Sequence, residues 1–313
     1  MLLTIAPNPT IDRILNVPYM TVGQVHRAAE VRLVAAGKGL NVARAARTLG
    51  CQVLATGPLG GRSGQIVVDL AQTEGLLTDW YWLRSGDTRT CLLINHADKD
   101  ATVINEPGPT VSKEDWEGLA THISRLGQRV RAIAFAGSLP PGIPPDSFAE
   151  LTRSLAAANR AVYVDTSVDA LRAILADPRG ICIKVNQLEL VTGFGVTARA
   201  PSTAQTIDTG KALLSRGAEL VVVTLGREGA LAITLQGTWQ ATPPPVEIVS
   251  TVGSGDSMLA GLAVARLEGQ AIEAALAFGV ACGSANAMSG VPGQFEQEQV
   301  EALLRQIAFT QLD

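Results

Sequence analysis

The amino-acid sequence predicts an α/β protein with a central, mostly parallel β-sheet, helices on both faces of it, and a small second β-sheet that forms a lid. From residue 132 onward, short apolar strand-like segments alternate with helical ones, as in parallel sheets that are buried on both faces. Two further strand-like regions, about 12–34 and 88–105, do not fit this alternation and are therefore assigned to the lid. We expect residues 1–313 to form one domain, which includes the lid.

In the first part of the chain, strand and helix signals follow one another at short intervals. Residues 1–6 are predicted to form a buried strand, and residues 24–34 an exposed or half-buried strand with charged positions. Residues 39–49 have helical periodicity, and Gly50 is a typical C-terminal stop. The remaining predictions here are a strand at 51–57, a helix at 65–74, and a hairpin of strands 90–95 and 101–105 joined by the polar turn 96–100.

The second part of the chain carries the parallel-sheet signal. The predicted strands are 132–136, 161–165, 181–185 and 220–224. The predicted helices are 145–159, 168–176 and 203–216, followed by two more toward the end of the chain.

Composition excludes several classes of protein. Hydrophobic residues make up 47% of the chain and charged residues 17%, so the chain can bury a large core and is not intrinsically disordered. The net charge is −4 and no basic run occurs, which argues against a nucleic-acid partner. No apolar run approaches the ~20 residues of a membrane helix, and the first residues lack the pattern of a signal peptide.

The cysteines and histidines indicate neither a zinc site nor a disulfide framework. Four cysteines lie far apart without a CxxC pair, and the three histidines are scattered. A reducing cytoplasm is therefore the expected compartment.

A glycine-rich turn before an apolar helix is the strongest chemical signal. Gly253 and Gly255 flank Ser254 just ahead of that helix, where backbone N–H groups and the helix dipole can bind an anion. Asp256, in the first turn, is placed to act as a general base toward an attacking hydroxyl. The alternative is that Asp256 only caps the helix.

Three weaker segments accompany it. Gly37, Lys38 and Asn41 open a helix and are suited to a polyhydroxyl or anionic group, or form a plain turn and cap. Asn186 and Glu189 are three residues apart, so they could hold hydrated Mg²⁺ or form an N-terminal capping box. Residues 224–230 turn sharply after a strong strand, as a loop at the edge of a nucleotide site would. P-loop, GxGxxG and GxSxG motifs are absent from the sequence.

Together and in this order, these segments resemble the ribokinase-like carbohydrate kinases, also called the phosphofructokinase B family. The resemblance extends from residues 8–12 to residues 279–286. Within the family, the chain resembles the branch of 1-phosphofructokinases, tagatose-6-phosphate kinases and minor 6-phosphofructokinases. The segments that carry this closer resemblance are 8–12, Arg27, 37–39, 88–89, 105–109 and 137–142.

The resemblance implies a role for each site residue. Asp256 would be the base, and the backbone of Gly253, Ser254 and Gly255 would stabilise charge on the transferred phosphoryl group. Asp12 and Asn41 would hold sugar hydroxyls, Gly37 would let the sugar approach the backbone, and Asn186 and Glu189 would organise Mg²⁺ largely through water. The ATP site would be lined by Lys184, Asn186, Thr224, Gly226, Arg227, Gly229, Thr251, Val280 and Ser284.

A substrate phosphate needs several cationic and hydroxyl donors. Arg27, Lys38, Arg89 and Ser138 could supply them, although the two arginines could also be solvated surface charges. Three residues depart from the family pattern: Ala36 and Ser254 replace small residues of the two glycine turns, and Val185 replaces a proline. None of these changes removes a reacting group, but Ala36 bears on which sugar is bound.

The expected function is ATP-dependent phosphorylation of a hexose phosphate, with fructose 1-phosphate giving fructose 1,6-bisphosphate. The alternatives are tagatose 6-phosphate, fructose 6-phosphate or an unphosphorylated sugar as acceptor, and, more remotely, a non-catalytic sugar-phosphate-binding regulator. The resemblance also implies a homodimer formed through the lid.

Overall fold

A nine-stranded β-sheet forms the centre of the computed structural model, which describes residues 1–96, 99–195 and 201–312. The strands, in their order across the sheet, are β15 (Ala308–Gln311), β14 (Gly237–Thr242), β13 (Ala230–Thr234), β12 (Leu220–Thr224), β11 (Ile181–Asn186), β10 (Ala161–Asp165), β9 (Ala132–Ala136), β1 (Leu2–Ile5) and β4 (Val53–Thr56). Pairing is parallel from β4 to β12 and antiparallel from β12 to β15. The mostly parallel central sheet predicted from the sequence is confirmed, with an antiparallel edge that was not predicted.

Helices cover both faces of this sheet because adjacent strand residues point to opposite sides. Leu2 of β1 belongs to one hydrophobic core and Leu3 to the other. The first core is packed by α1 (Lys38–Thr48), α2 (Gly61–Thr73), α8 (Ser254–Leu267), α9 (Ile272–Ala287) and α10 (Gln297–Leu304). The second core is packed by α3 (Lys113–Gly127), α4 (Pro145–Ala157), α5 (Val168–Ala176), α6 (Gln187–Gly193) and α7 (Thr203–Ser215). Two short strands, β5 (Pro58–Leu59) and β6 (Tyr81–Trp82), pair beside the main sheet.

The lid is a separate four-stranded sheet. Its strands, in order, are β3 (Glu30–Ala36), β2 (Thr10–Val17), β7 (Arg89–His96) and β8 (Lys99–Asn105). The predicted hairpin is present as β7 and β8, and residues 97–98 of its predicted turn lie outside the described residues.

Two predicted elements need correction. The strand expected at 24–34 begins only at Glu30, because its partner β2 ends at Val17 and the pairing between the two strands stops at Asn16 and Glu30. The end of the chain contains three helices rather than two, and a final strand, β15, which pairs with β14. Among the helices of the described ranges, none combines the length and apolar character that crossing a bilayer requires.

Candidate active site

The candidate base lies at the amino end of α8, next to residues from the opposite end of the chain. Asp256 is 5% exposed, and its Oδ2 accepts a hydrogen bond of 2.8 Å from Nδ2 of Asn41 in α1. The two strongest sequence motifs, 215 positions apart, therefore meet in one site.

Local backbone geometry explains the glycines ahead of Asp256. Gly253 has a φ of 83°, and a Cβ there would lie 2.7 Å from Cβ of Pro292, so only glycine fits. The N–H of Ser254 donates to the Thr251 carbonyl at 3.2 Å. The N–H groups of Gly255 and Asp256 lie in the first turn, where a helix offers no internal acceptor. This end of α8 can therefore receive an anion through those two groups.

Charges around Asp256 act in opposite directions on its acidity. Burial raises the pKa of the Asp256 carboxyl above its ordinary value, and the nearby Asp165 carboxylate adds to that effect. Lys38 and Lys184 and the hydrogen bond from Asn41 lower it. The net result is a raised pKa, which makes the Asp256 carboxylate a better proton acceptor than an ordinary aspartate.

Asp165, at the carboxyl end of β10, joins the two lysines. Its Oδ1 lies 2.8 Å from Nζ of Lys38, and its Oδ2 is hydrogen-bonded to Nζ of Lys184. Burial alone would raise the pKa of Asp165, but these two cations hold it below its ordinary value. In turn, the carboxylates of Asp165 and Asp256 raise the pKa of Lys38, although burial acts in the opposite direction. Lys184 also reaches the anion site, because a Cβ on Gly255 would lie 2.7 Å from its Nζ.

Sequence reasoning did not identify Asp165 as a site residue. The available signal was an aspartate at the carboxyl end of a predicted parallel strand, where ligands of open α/β sheets bind. Lys38, which was assigned to the substrate phosphate, lies in this charged cluster with its side chain 46% exposed.

Asn286 is a second residue that sequence reasoning did not assign to the site. Its Nδ2 donates to the Val252 carbonyl at 2.9 Å and to Oγ of Ser254 at 3.2 Å, and its Oδ1 accepts from Oγ of Ser257 and from the N–H of Gly293. It is fully buried and thereby fixes the shape of the glycine turn.

The predicted sugar-binding residues lie between the lid and the main sheet. Burial raises the pKa of Asp12, in β2, to about 6, against the opposing effect of Arg89 and Arg44. Arg89 donates to the carbonyls of Asn8 and Glu106 at 3.0 and 2.9 Å, so it is not a solvated surface charge.

The other predicted substrate contacts differ in how they are held. Gly37 has a φ of 113° and caps α1, while Ser138 is half-buried just after β9. Arg27 lies exposed in the 18–29 connection, and its side chain has no hydrogen bond or ion pair within the described ranges. Ala36, whose methyl group was expected close to the sugar, is only 3% exposed at the end of β3.

A cavity of about 1450 Å³ adjoins the glycine turn. It is lined by Thr224, Gly226, Arg227, Gly229, Thr251, Val280 and Ser284, which are the predicted ATP residues apart from Lys184 and Asn186. Ile14, Leu93, Asn95 and His96 of the lid also line it, and no sequence pattern had linked them to a nucleotide. A smaller cavity, of about 580 Å³, lies at the opposite end of the sheet, and no predicted site residue lines it.

Asn186 and Glu189 form a reciprocal capping box at the start of α6. Oδ1 of Asn186 accepts from the N–H of Glu189 at 2.8 Å, and Oε2 of Glu189 accepts from the N–H of Asn186 at 2.9 Å. Further oxygen lone pairs remain on both side chains, and these suit a hard cation that keeps most of its water. Within the described residues, no group of three or more His, Cys, Asp and Glu could form a protein cage for a metal. The residues therefore fit a hydrated Mg²⁺ held mainly by water and phosphate.

Comparison with known proteins gives consistent matches. The profile of the pfkB family carbohydrate kinases matches residues 7–293. A 1-phosphofructokinase from Xanthomonas campestris pv. campestris is 37% identical over 272 residues, which cover 85% of this chain and 84% of that protein. The structure of Escherichia coli phosphofructokinase-2 in complex with fructose-6-phosphate has a TM-score of 0.86 at 26% identity, covering 97% of each chain. Arabidopsis thaliana ribokinase complexed with ribose and ATP shares the fold, with a TM-score of 0.74 at 20% identity over 97% of this chain and 98% of that one.

Proposed function

This chain belongs to the pfkB family of carbohydrate kinases, and from that premise we propose that it transfers the γ-phosphoryl group of ATP to fructose 1-phosphate, giving fructose 1,6-bisphosphate and ADP. The observation that carries the chemistry is the buried Asp256 carboxylate beside the free N–H groups of α8. The acceptor is supported by the similarity to a 1-phosphofructokinase over most of the chain.

In the proposed reaction, Asp256 takes the proton of the acceptor hydroxyl as its oxygen attacks the γ-phosphorus and the bond to the ADP oxygen breaks. The N–H groups of Gly255 and Asp256, together with Lys184 beside them, stabilise negative charge on the transferred group. Asn186 and Glu189 would hold Mg²⁺ largely through water, and the bound ion would neutralise phosphate charge.

On the sugar side, Asp12 and Asn41 would accept and donate hydrogen bonds to hydroxyl groups. Lys38 has nearly half of its side chain exposed and would face the acceptor phosphate with Arg89 and Ser138. The seven ATP residues that line the large cavity would receive the nucleotide. ATP and a sugar phosphate are metabolites of the cytoplasm, where we expect the enzyme to work.

The acceptor is tested by measuring ADP release from MgATP with four sugars in parallel: fructose 1-phosphate, fructose 6-phosphate, tagatose 6-phosphate and free fructose. We expect the highest kcat/KM with fructose 1-phosphate. A preference for either of the other sugar phosphates would change the acceptor but keep the kinase. Activity on free fructose alone would contradict a phosphate-binding role for Lys38 and Arg89.

The chemistry is tested by replacing the base. Asp256→Asn should lower kcat by roughly 100- to 10,000-fold, a typical loss for a general base, while ATP still binds. The matched control is Asp69→Asn, an exposed aspartate on α2 that should leave turnover unchanged. Turnover that survives Asp256→Asn would contradict the proposed mechanism.

We also propose a homodimer through the outer face of the lid sheet. Cross-strand pairing places Leu15, Val31, Leu33, Leu92, Ile94 and Ile104 on that face. Val31 and Leu33 on β3 are 51% and 41% exposed, and Ile104 on β8, at the other edge of the sheet, is 52% exposed. Exposed apolar side chains thus extend from one edge of this face to the other, as at protein–protein interaction sites. A second copy of the same face would bury them.

A further inference from the structure

A buried arginine lies behind the contact between Asn41 and Asp256. Arg44 is three residues after Asn41 on α1, so the two share one face of the helix. Its side chain is 3% exposed, which is rare for arginine unless the charge is paired.

Arg44 is held by groups from three elements. Nη1 donates to Oδ1 of Asn41 at 3.0 Å. Nε and Nη2 donate to the carboxylate of Glu74, just after α2, at 2.5 and 3.0 Å, and Nη2 also bonds the Ala35 carbonyl in β3. The guanidinium therefore has a fixed position and a compensating charge.

This position determines which way the Asn41 amide faces. An arginine can only donate hydrogen bonds, so the group that Asn41 turns toward Arg44 must be its oxygen. The amide nitrogen is then directed to Asp256, whose ionised carboxylate can only accept. With the amide reversed, its oxygen would face the carboxylate and repel it.

Asp256 has several charged and polar neighbours. They are Lys38 and Asn41 from α1, Asp165 from β10 and Lys184 from β11. Lys38 and Lys184 each form an ion pair with Asp165. Asn41 is the neutral neighbour: its amide nitrogen can donate to the Asp256 carboxylate, whereas its amide oxygen would repel it. Its orientation is therefore the point at which a more distant residue can act on the base.

We propose that Arg44 is a positioning residue: by bonding Oδ1 of Asn41 it keeps the amide nitrogen on Asp256 and so keeps the base ionised at neutral pH. This rests on the proposed role of Asp256 as the base. Glu74 contributes by holding the guanidinium in place.

The test is the dependence of kcat/KM on pH. Every variant, and the wild type with which it is compared, carries Asp12→Asn, because Arg44 also lowers the pKa of Asp12, which is about 6 and would titrate in the same range. The acid limb then reports ionisation of the base. In Arg44→Met, the Asn41 amide is free to rotate, and a weakened hydrogen bond to the carboxylate should move the acid limb upward by about one pH unit. Arg44→Lys keeps a cationic donor without the planar fork, so its limb should fall between those of wild type and Arg44→Met. The matched control is Arg47→Met, an exposed arginine on the same helix that bonds the Gly75 carbonyl and should leave the limb unmoved.

A double-mutant cycle shows whether Arg44 acts through Asn41. Asn41→Ala alone should move the limb upward, and adding Arg44→Met to it should move the limb no further. An unmoved limb in Arg44→Met, with kcat/KM lowered equally at every pH, would overturn the inference, and so would additive shifts in the double variant. If Arg44→Met does not fold, Glu74→Gln serves instead: an upward shift supports the inference, and an unmoved limb overturns it.

Failure of the proposed function looks different. It would appear as full activity in Asp256→Asn, whatever the result with Arg44.

Discussion

At the residue scale, the site consists of a few charges that share one desolvated space. Asp165 binds two lysines and is kept ionised by them, whereas burial makes Asp256 more basic. The two carboxylates are thereby assigned different roles, one structural and one suited to accepting a proton. The difference follows from which partners each has in space, since Asp165 ends the central strand β10 and Asp256 lies in the first turn of α8.

Asp12 is expected to lower stability at neutral pH. The pKa of Asp12 is about 6 in the folded protein and 3.8 ordinarily. The protonated carboxyl therefore favours the folded state below pH 3.8, and this contribution to the free energy of unfolding is lost as the pH rises through about 6. Asp12→Asn should therefore raise the free energy of unfolding at pH 7.5, by at most about 3 kcal/mol, with no gain at pH 4. Urea unfolding at both pH values measures this difference.

The same variant should raise KM for the sugar, because Asp12 is proposed to hold a hydroxyl group. Equal changes in stability at pH 4 and pH 7.5 would contradict the assignment of a raised pKa to this carboxyl.

At the element scale, the packing of α1 explains the Gly-Lys-Gly sequence. Gly37 turns the chain with a φ of 113°, and Lys38 then reaches Asp165. At Gly39, a Cβ would lie 2.5 Å from the backbone nitrogen of Ala6 and 2.6 Å from the carbonyl carbon of Ile5. The helix therefore packs directly on the end of β1, which brings Asn41 and Arg44 to the site.

Gly39→Ala should consequently be strongly destabilising. The added methyl group meets backbone atoms that cannot move independently, so a loss of about 3 kcal/mol or more in the free energy of unfolding is expected. Gly290→Ala is the control for stability, because the nearest atom to its added Cβ, Cγ1 of Val249, is 3.9 Å away. A similar midpoint of thermal unfolding in the two variants would contradict the close approach of α1 to β1.

At the scale of the whole molecule, two sheets meet over the large cavity. The inner face of the lid carries a small cluster of Ile14, Val34 and Leu93, two of which also line that cavity. The outer face leaves apolar side chains exposed. One sheet thus contributes both to the large cavity, the proposed nucleotide site, and to the proposed interface between copies.

The dimer is tested by placing a charge on one face of the lid and then on the other. Ile104→Lys should produce a monomer in light scattering after gel filtration, because it places a cation in the apolar interface. Val103→Lys is the control, since Val103 is the neighbouring residue, is 44% exposed and points to the other face. If Ile104→Lys and Val103→Lys have the same mass, the proposed interface is wrong.

The sequence predicted the parts of the fold that depend on local pattern. The strands 132–136, 161–165 and 220–224 and the helix 168–176 occur with the predicted bounds, because continuous apolar runs and helical periodicity are local properties. The antiparallel strands β13 to β15 were not predicted, and the strand at 24–34 was placed too early. Where a strand begins and which strand it joins depend on its partner, and the partner is distant in sequence.

The same distinction applies to the candidate site. By itself, the sequence singled out the glycine turns, Asp256, Asn41 and seven residues that line the large cavity, because these residues lie in motifs that can be recognised within a short segment. Only the tertiary structure revealed that Asp165 joins Lys38 to Lys184 and that Arg44 bonds Oδ1 of Asn41, the contact behind its proposed positioning role. Those roles arise from contacts between elements up to 127 positions apart, and burial makes each contact energetically significant.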